Sequence, residues 1–287
     1  MKRRRTFALG LGAAVVASLP VQAQEAPRIV SVGSALTEIV YALGAEALLA
    51  GVDTTSQHPA AAQTLPQVGY MRALSAEGVL SLKPTLVIAT TAAGPATALD
   101  QLRATGVEVL VLPDRYDYES VIAKISAVGR VTGKNTEAQA MIVQGCADMA
   151  ELTKRLSAAT GKPRVLFLLS IGGGAPQAAG RDTAADGIIR LAGGTNAIDG
   201  YAGYRPLTPE AVIASGADFV LVTHQTVAAM GSIEAILDLP ALRRTPAGRA
   251  GKVLQFDTLL LLGFGPRTPQ VAQELASALH PNLARAP

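Results

Sequence analysis

From residue 28 onward the chain alternates between two hydrophobic periods. Residues 28–32 are a short β-branched run, Gly33-Ser34 turns the chain, and residues 36–43 carry apolar side chains at helical spacing until Gly44. The same grammar then repeats: a strand at 48–52, a helix at 75–82 ended by Lys83-Pro84, a buried strand at 85–89, a helix at 94–105 and a strand at 107–112. Between the second strand and the next helix lies a Ser, Gln, Pro and Ala-rich loop at 54–68. Such alternation predicts a parallel or mostly parallel sheet covered on both faces, in a first lobe ending near Gly133.

Residues 135–159 contain no proline and a single glycine, with Met141, Ile142, Met149 and Leu152 spaced among charges. This predicts one helix of about 25 residues, about 37 Å long at 1.5 Å per residue. After Gly161-Lys162-Pro163 the strand–helix grammar restarts: a strand at 164–169, a glycine-rich turn at Gly172-Gly173-Gly174, and a helix at 183–191 stopped by Gly193-Gly194. The predicted fold is therefore α/β, two Rossmann-like lobes joined by one long backbone helix with a ligand cleft between them. Residues 24–134 form the first lobe, 135–160 the connecting helix and 161–287 the second lobe.

The lobes echo each other. Residues 75–88 align without a gap on residues 208–221, and both read as a hydroxyl cap, an acid two residues on, a short helix and a buried strand. Just upstream, Tyr70 and Arg72 are echoed by Tyr204 and Arg205. Clefts between domains are preferred ligand sites, and these four residues are placed to face one from both sides. Phenols ligate hard metals or stack on flat rings, and guanidinium groups pair with carboxylates in a planar fork. A tyrosine beside an arginine is a candidate oxygen ligand for ferric iron, because the cation favours the phenolate. The competing reading of Tyr70 is an ordinary turn residue. Glu77 and Glu210 sit in helix first turns, where the helix dipole favours an acid.

Composition alters this picture in two ways. Residues 1–23 carry a basic start (Lys2, Arg3, Arg4, Arg5), an apolar run at 7–19 too short to span a bilayer, and a Val21-Gln22-Ala23 cleavage site, as in a signal peptide. Arg4-Arg5-Thr6-Phe7 also resembles a twin-arginine signal, so Sec and twin-arginine export both stay open. Removing residues 1–23 takes away four positive charges and no negative one, which moves the formal net charge from +3 to −1. Bulk charge then gives no support to a nucleic-acid partner. The lone cysteine, Cys146, excludes an internal disulfide and reads as a small buried hydrophobe, and the three histidines have no metal-site spacing. With no tryptophan, tyrosine and phenylalanine are the aromatic resource for a flat ligand.

Lesser candidates are the Gly172–Gly174 turn, Arg181 as a carboxylate binder or a partner of Asp182 or Asp186, His224 after a strand, and Phe264 with Arg267 covering a ring edge. No Gly-x-Ser-x-Gly elbow, His-Glu-x-x-His or acid–base set suggests catalysis, so the chain does not read as an enzyme.

The segments 68–78, 179–186 and 203–210, together with the signal peptide, resemble the periplasmic haem-binding proteins of bacterial ABC haem importers, within the helical-backbone (class III) substrate-binding proteins. The resemblance spans the mature chain. It implies haem as transported ligand, Tyr70 as axial ligand to the haem iron, and Arg72, Tyr204 and Arg205 as further haem contacts. It also implies Glu77 and Glu210 as permease-docking acids, an ABC permease and ATPase complex as partner, an outer-membrane haem receptor system upstream, a monomer, and small lobe motion. Open alternatives are a carrier for a ferric siderophore or cobalamin, or a secreted hydrolase.

Overall fold

A computed structural model describes residues 27–170 and 176–283. The signal peptide and the Gly172–Gly174 turn lie outside the described residues.

In the first lobe, β1 (Ile29–Val32), α1 (Ser34–Ala42), β2 (Leu49–Val52), α2 (Ala76–Leu80), β3 (Leu86–Thr90), α3 (Ala96–Ala104), β4 (Glu108–Leu112) and α4 (Tyr118–Thr132) follow one another. The strands form a parallel sheet in the order β2-β1-β3-β4. Helix α4 has no counterpart in the sequence reading, although its signals are present. Asp117 caps it by accepting the Ser120 amide at 2.7 Å, and Gly133 ends it at φ 73°, a left-handed conformation that glycine adopts without Cβ strain.

The connecting helix α5 (Asn135–Leu156) has 22 residues, about 33 Å, and packs on α4 and on a C-terminal helix. It ends at Leu156, three residues short of the predicted stop, and Cys146 on it is exposed rather than buried. Only one face of α5 is covered, and Cys146 lies on the other.

The second lobe runs β5 (Arg164–Leu169), β6 (Gln177–Ala179), α6 (Ala184–Leu191), β7 (Thr195–Asn196), β8 (Tyr204–Pro206), α7 (Pro209–Ser215), β9 (Phe219–Thr223), α8 (His224–Met230), α9 (Ile233–Leu237), α10 (Pro246–Ala250), β10 (Val253–Phe256), α11 (Thr258–Leu262) and α12 (Thr268–Leu279). Its sheet has the order β10-β9-β5-β6-β8, with β7 beside β5. Strands β5, β9 and β10 are parallel, whereas β6 runs antiparallel to both β5 and β8. The connection from Leu169 to Gln177 is too short to hold the crossover that a parallel pair requires.

The internal echo holds in three dimensions. Ser75 caps α2 through the Gly78 amide at 3.3 Å and Thr208 caps α7 through the Ala211 amide at 3.2 Å, and each helix leads to a fully buried strand, β3 or β9. Each lobe has its own apolar layer, around Val87 and Leu102 in the first and around Leu166 and Val222 in the second. A third, larger cluster is continuous across the junction: Ile39, Ile88 and Ile125 of the first lobe join Phe167, Ile188 and Leu275 of the second. Each such buried side chain contributes about 1.5–3 kcal/mol, so the lobes share a core as well as a strut.

Candidate interlobe ligand site

Parallel strands aim their carboxyl ends at a common crevice, where ligands of open α/β sheets bind. Here both sheets do so, and a cavity of about 740 Å³ opens between them, within the usual size of ligand pockets. Gly33 after β1, Thr55 after β2 and Tyr116 after β4 reach it from one lobe, and Leu169 in β5 and Leu259 in α11 reach it from the other.

Tyr70 and Arg72 enter this cavity from a tightly bonded loop. Gly69 takes φ 93°, a conformation that strains side-chain-bearing residues. The Gly69 carbonyl accepts the Thr54 amide at 3.0 Å, the Tyr70 carbonyl accepts the Ala73 amide at 2.8 Å, and the Met71 carbonyl accepts the Gly94 amide at 2.9 Å. With the backbone tied on both sides, the Tyr70 side chain projects outward, 47% exposed. Arg72 is also exposed and has no ion pair among the described residues, which leaves its fork free for an anion.

Tyr204 lines the cavity from the opposite lobe, with its ring edge-on to Phe167 at 6.4 Å between centroids. Burial pushes its phenol up to about 12, outweighing the hydrogen bonds to Thr183 and the Ala185 backbone and the Arg72 charge, all of which lower it. The residue as a whole remains 36% exposed. Tyr204 is thus a neutral phenol, a hydrogen-bond donor, at neutral pH.

Arg205 does not line the cavity. Successive side chains on a strand point to opposite faces, and on β8 this turns Arg205 away from Tyr204 and onto the Tyr201 ring, 4.7 Å from its centroid. The Tyr201 hydroxyl in turn donates to the Ala178 carbonyl at 3.1 Å. The spacing of Tyr204 and Arg205 therefore echoes Tyr70 and Arg72 only in part. Glu77 and Glu210 are exposed in the first turns of α2 and α7, one on each lobe, and neither lines the cavity.

Four lesser candidates have other roles. His224 begins α8 and is exposed, and the neighbouring Gln225 lines the cavity instead. Phe264 is 2% exposed and packs edge-on to Tyr116 at 5.5 Å, as a core residue. Arg267 is engaged by Glu38. Arg181 donates to the Asp199 carbonyl, while Asp186 pairs with Arg190 at 3.5 Å.

The sequence reading missed Asp114 and Tyr116, which lie just past β4 and line the cavity. Their place at the carboxyl end of a predicted parallel strand was the available signal. Burial and the Asp114 charge raise the Tyr116 phenol against an opposing effect of Arg72. Asp114 is itself paired with the fully buried Lys124 ammonium at 3.2 Å. The cavity thus presents three phenols, one unpaired guanidinium and walls of mixed apolar and polar side chains that include the Lys124-paired Asp114, a set suited to a flat ligand with carboxylates and a hard metal centre.

The chain is similar to the periplasmic heme-binding protein BhuT in complex with two hemes, at 42% identity and a TM-score of 0.85, over 90% of this chain and 99% of that one. It is also similar to the periplasmic heme-binding protein RhuT from Roseiflexus sp. RS-1 in apo form, at 39% identity and a TM-score of 0.84, over 90% and 99% of the two chains. An uncharacterized ABC transporter substrate-binding lipoprotein of Bacillus subtilis, YvrC, is 25% identical over 265 residues, 90% of this chain and 82% of the relative. Residues 29–258 match the family model described as periplasmic binding protein, and the chain belongs to that family.

Proposed function

We propose that the protein captures haem in the periplasm and delivers it to an ABC-type inner-membrane importer. The observation that carries this reading is the meeting of Tyr70 and Arg72 from one lobe with Tyr204 from the other in one cavity. The chain's 42% and 39% identity to two proteins described as periplasmic heme-binding adds support.

In this reading the Tyr70 oxygen ligates the ferric iron, as tyrosine does in other haem proteins. Arg72 favours the phenolate and pairs with a haem carboxylate. Tyr204 donates a hydrogen bond or an edge contact from the facing lobe. Arg205 holds β8 in place through Tyr201 and supports the site from behind. Glu77 and Glu210 dock the two lobes onto a permease with matching pseudo-symmetry, and residues 1–23 direct export.

The test is competition. Apo-protein is titrated with hemin, with cyanocobalamin and with a ferric siderophore, each alone and against the others. Saturable hemin binding that neither competitor displaces is expected. A chain that ignores hemin and binds cobalamin or the siderophore would overturn the assignment.

A further inference from the structure

Asp53 lies directly after β2 and has no exposed surface, yet among the described residues it has no cation beside it. Its charge is met by four hydrogen bonds. Oδ1 accepts the Gly33 amide and the Ser56 hydroxyl, each at 2.8 Å, and Oδ2 accepts the Thr55 amide at 2.9 Å and the Thr55 hydroxyl at 2.6 Å. An ionised carboxylate is the one side chain of this size that accepts on both oxygens with no hydrogen of its own. Unpaired buried charges are costly; these four hydrogen bonds offset that cost and bind the four donors into one geometry.

Those donors lead to the ligand loop. Gly33 and Thr55 line the cavity. The Thr54 amide, held between Asp53 and Thr55, donates to the Gly69 carbonyl at 3.0 Å, and the Thr55 hydroxyl also lies 3.8 Å from the Met71 sulfur. Tyr70 is therefore bracketed by Gly69, whose carbonyl is hydrogen-bonded to the turn Asp53 organises, and Met71, whose sulfur packs on it. From this we infer that Asp53 is the positioning residue for Tyr70: it fixes the 53–56 turn so that the phenol stands at one height and angle in the cleft. Hydrogen bonds that pre-set a ligand in this way slow dissociation, because the bound geometry needs no reordering. The inference rests on the haem reading of the site for its effect on affinity, but its geometric part stands without haem.

Asp53→Asn tests it, because whichever way the amide is turned its NH2 faces two donors. Hydrogen exchange is measured on the apo-protein, and hemin dissociation and the ferric absorption spectrum on the loaded one. Faster exchange confined to residues 53–57 and 69–74, hemin release about tenfold faster and a shifted tyrosinate band are expected. Wild-type exchange and release would overturn the inference, and so would faster exchange spread evenly over both lobes with an unchanged spectrum. If Asp53→Asn does not fold, Ser56→Ala decides by the same criteria, with smaller changes in the same direction; it removes one donor without touching the cavity. A wild-type protein that fails to bind hemin would overturn the haem reading alone, and exchange in the 69–74 loop would then decide the role of Asp53.

Discussion

Arg267 clasps Glu38 across the two lobes, its Nε and Nη2 donating to the two carboxylate oxygens at 2.6 and 2.9 Å although 229 residues separate them in sequence. Glu38 lies on α1 and Arg267 immediately precedes α12. The guanidinium is pushed above its usual range, chiefly by the Glu38 hydrogen bond. Two parallel charge-assisted bonds in a partly buried place are stronger than a surface pair. Arg267→Ala is expected to cost about 2 kcal/mol in urea unfolding, with a coupling of about 1 kcal/mol or more to Glu38→Gln in a double-mutant cycle. Additive effects would show that the pair does not tie the lobes.

The buried Lys124 makes a second, more asymmetric prediction. Its side chain is 0% exposed and its partner Asp114 is 21% exposed at the cavity wall. Asp114→Asn leaves the ammonium buried without a counter-charge and should cost about 3 kcal/mol, whereas adding Lys124→Met should restore most of the loss. A double variant no more stable than the single one would contradict this.

Alkaline titration should divide the tyrosines. Burial raises both Tyr118 and Tyr204 to about 12 in the folded protein, against about 10 in an unfolded chain. The stability linked to these raised values is complete below about pH 10 and is lost as pH rises toward 12. Ultraviolet phenolate absorbance should show a late-ionising group of tyrosines that coincides with loss of far-ultraviolet circular dichroism. Tyr118→Phe should remove one member of that group.

Glu77→Lys and Glu210→Lys should fold normally and bind hemin as the wild type does, because both acids are exposed and lie outside the cavity. Each helix exchanges a favourable first-turn anion for an unfavourable cation, about 0.3–1 kcal/mol for each of the two effects. Uptake through the cognate importer should fall in each single variant and further in the double. Unimpaired uptake in the double would remove these residues from docking.

Much of the fold was legible because its signals are local. Strand runs such as 85–89 and 164–169, the proline-free 135–159 stretch and the 75–88 and 208–221 echo each carry their own period or cap. Tyr70, Arg72 and Tyr204, which line the cavity, were picked out in this way, as chemistry next to a predicted helix start or an echoed loop. What stayed hidden depends on facing and distance. Arg205 was misplaced because the short strand β8, which turns it onto Tyr201, was not recognised. Phe264 and Arg267 looked available in a Gly/Pro loop, but Tyr116 and Glu38, remote in sequence, already occupy them. Asp114 was overlooked because no element was assigned after 112, so the carboxyl end of β4 had no loop to inspect.

Tyr70 as the iron ligand is the central claim, and Tyr70→Phe probes it with the loss of one oxygen atom and little change in shape. Hemin is titrated into wild-type and variant apo-protein, and the ferric absorption spectrum and dissociation rate are recorded. A tyrosinate-type spectrum is expected in the wild type, lost in Tyr70→Phe together with most of the affinity. The same spectrum and rate in both proteins would contradict the account.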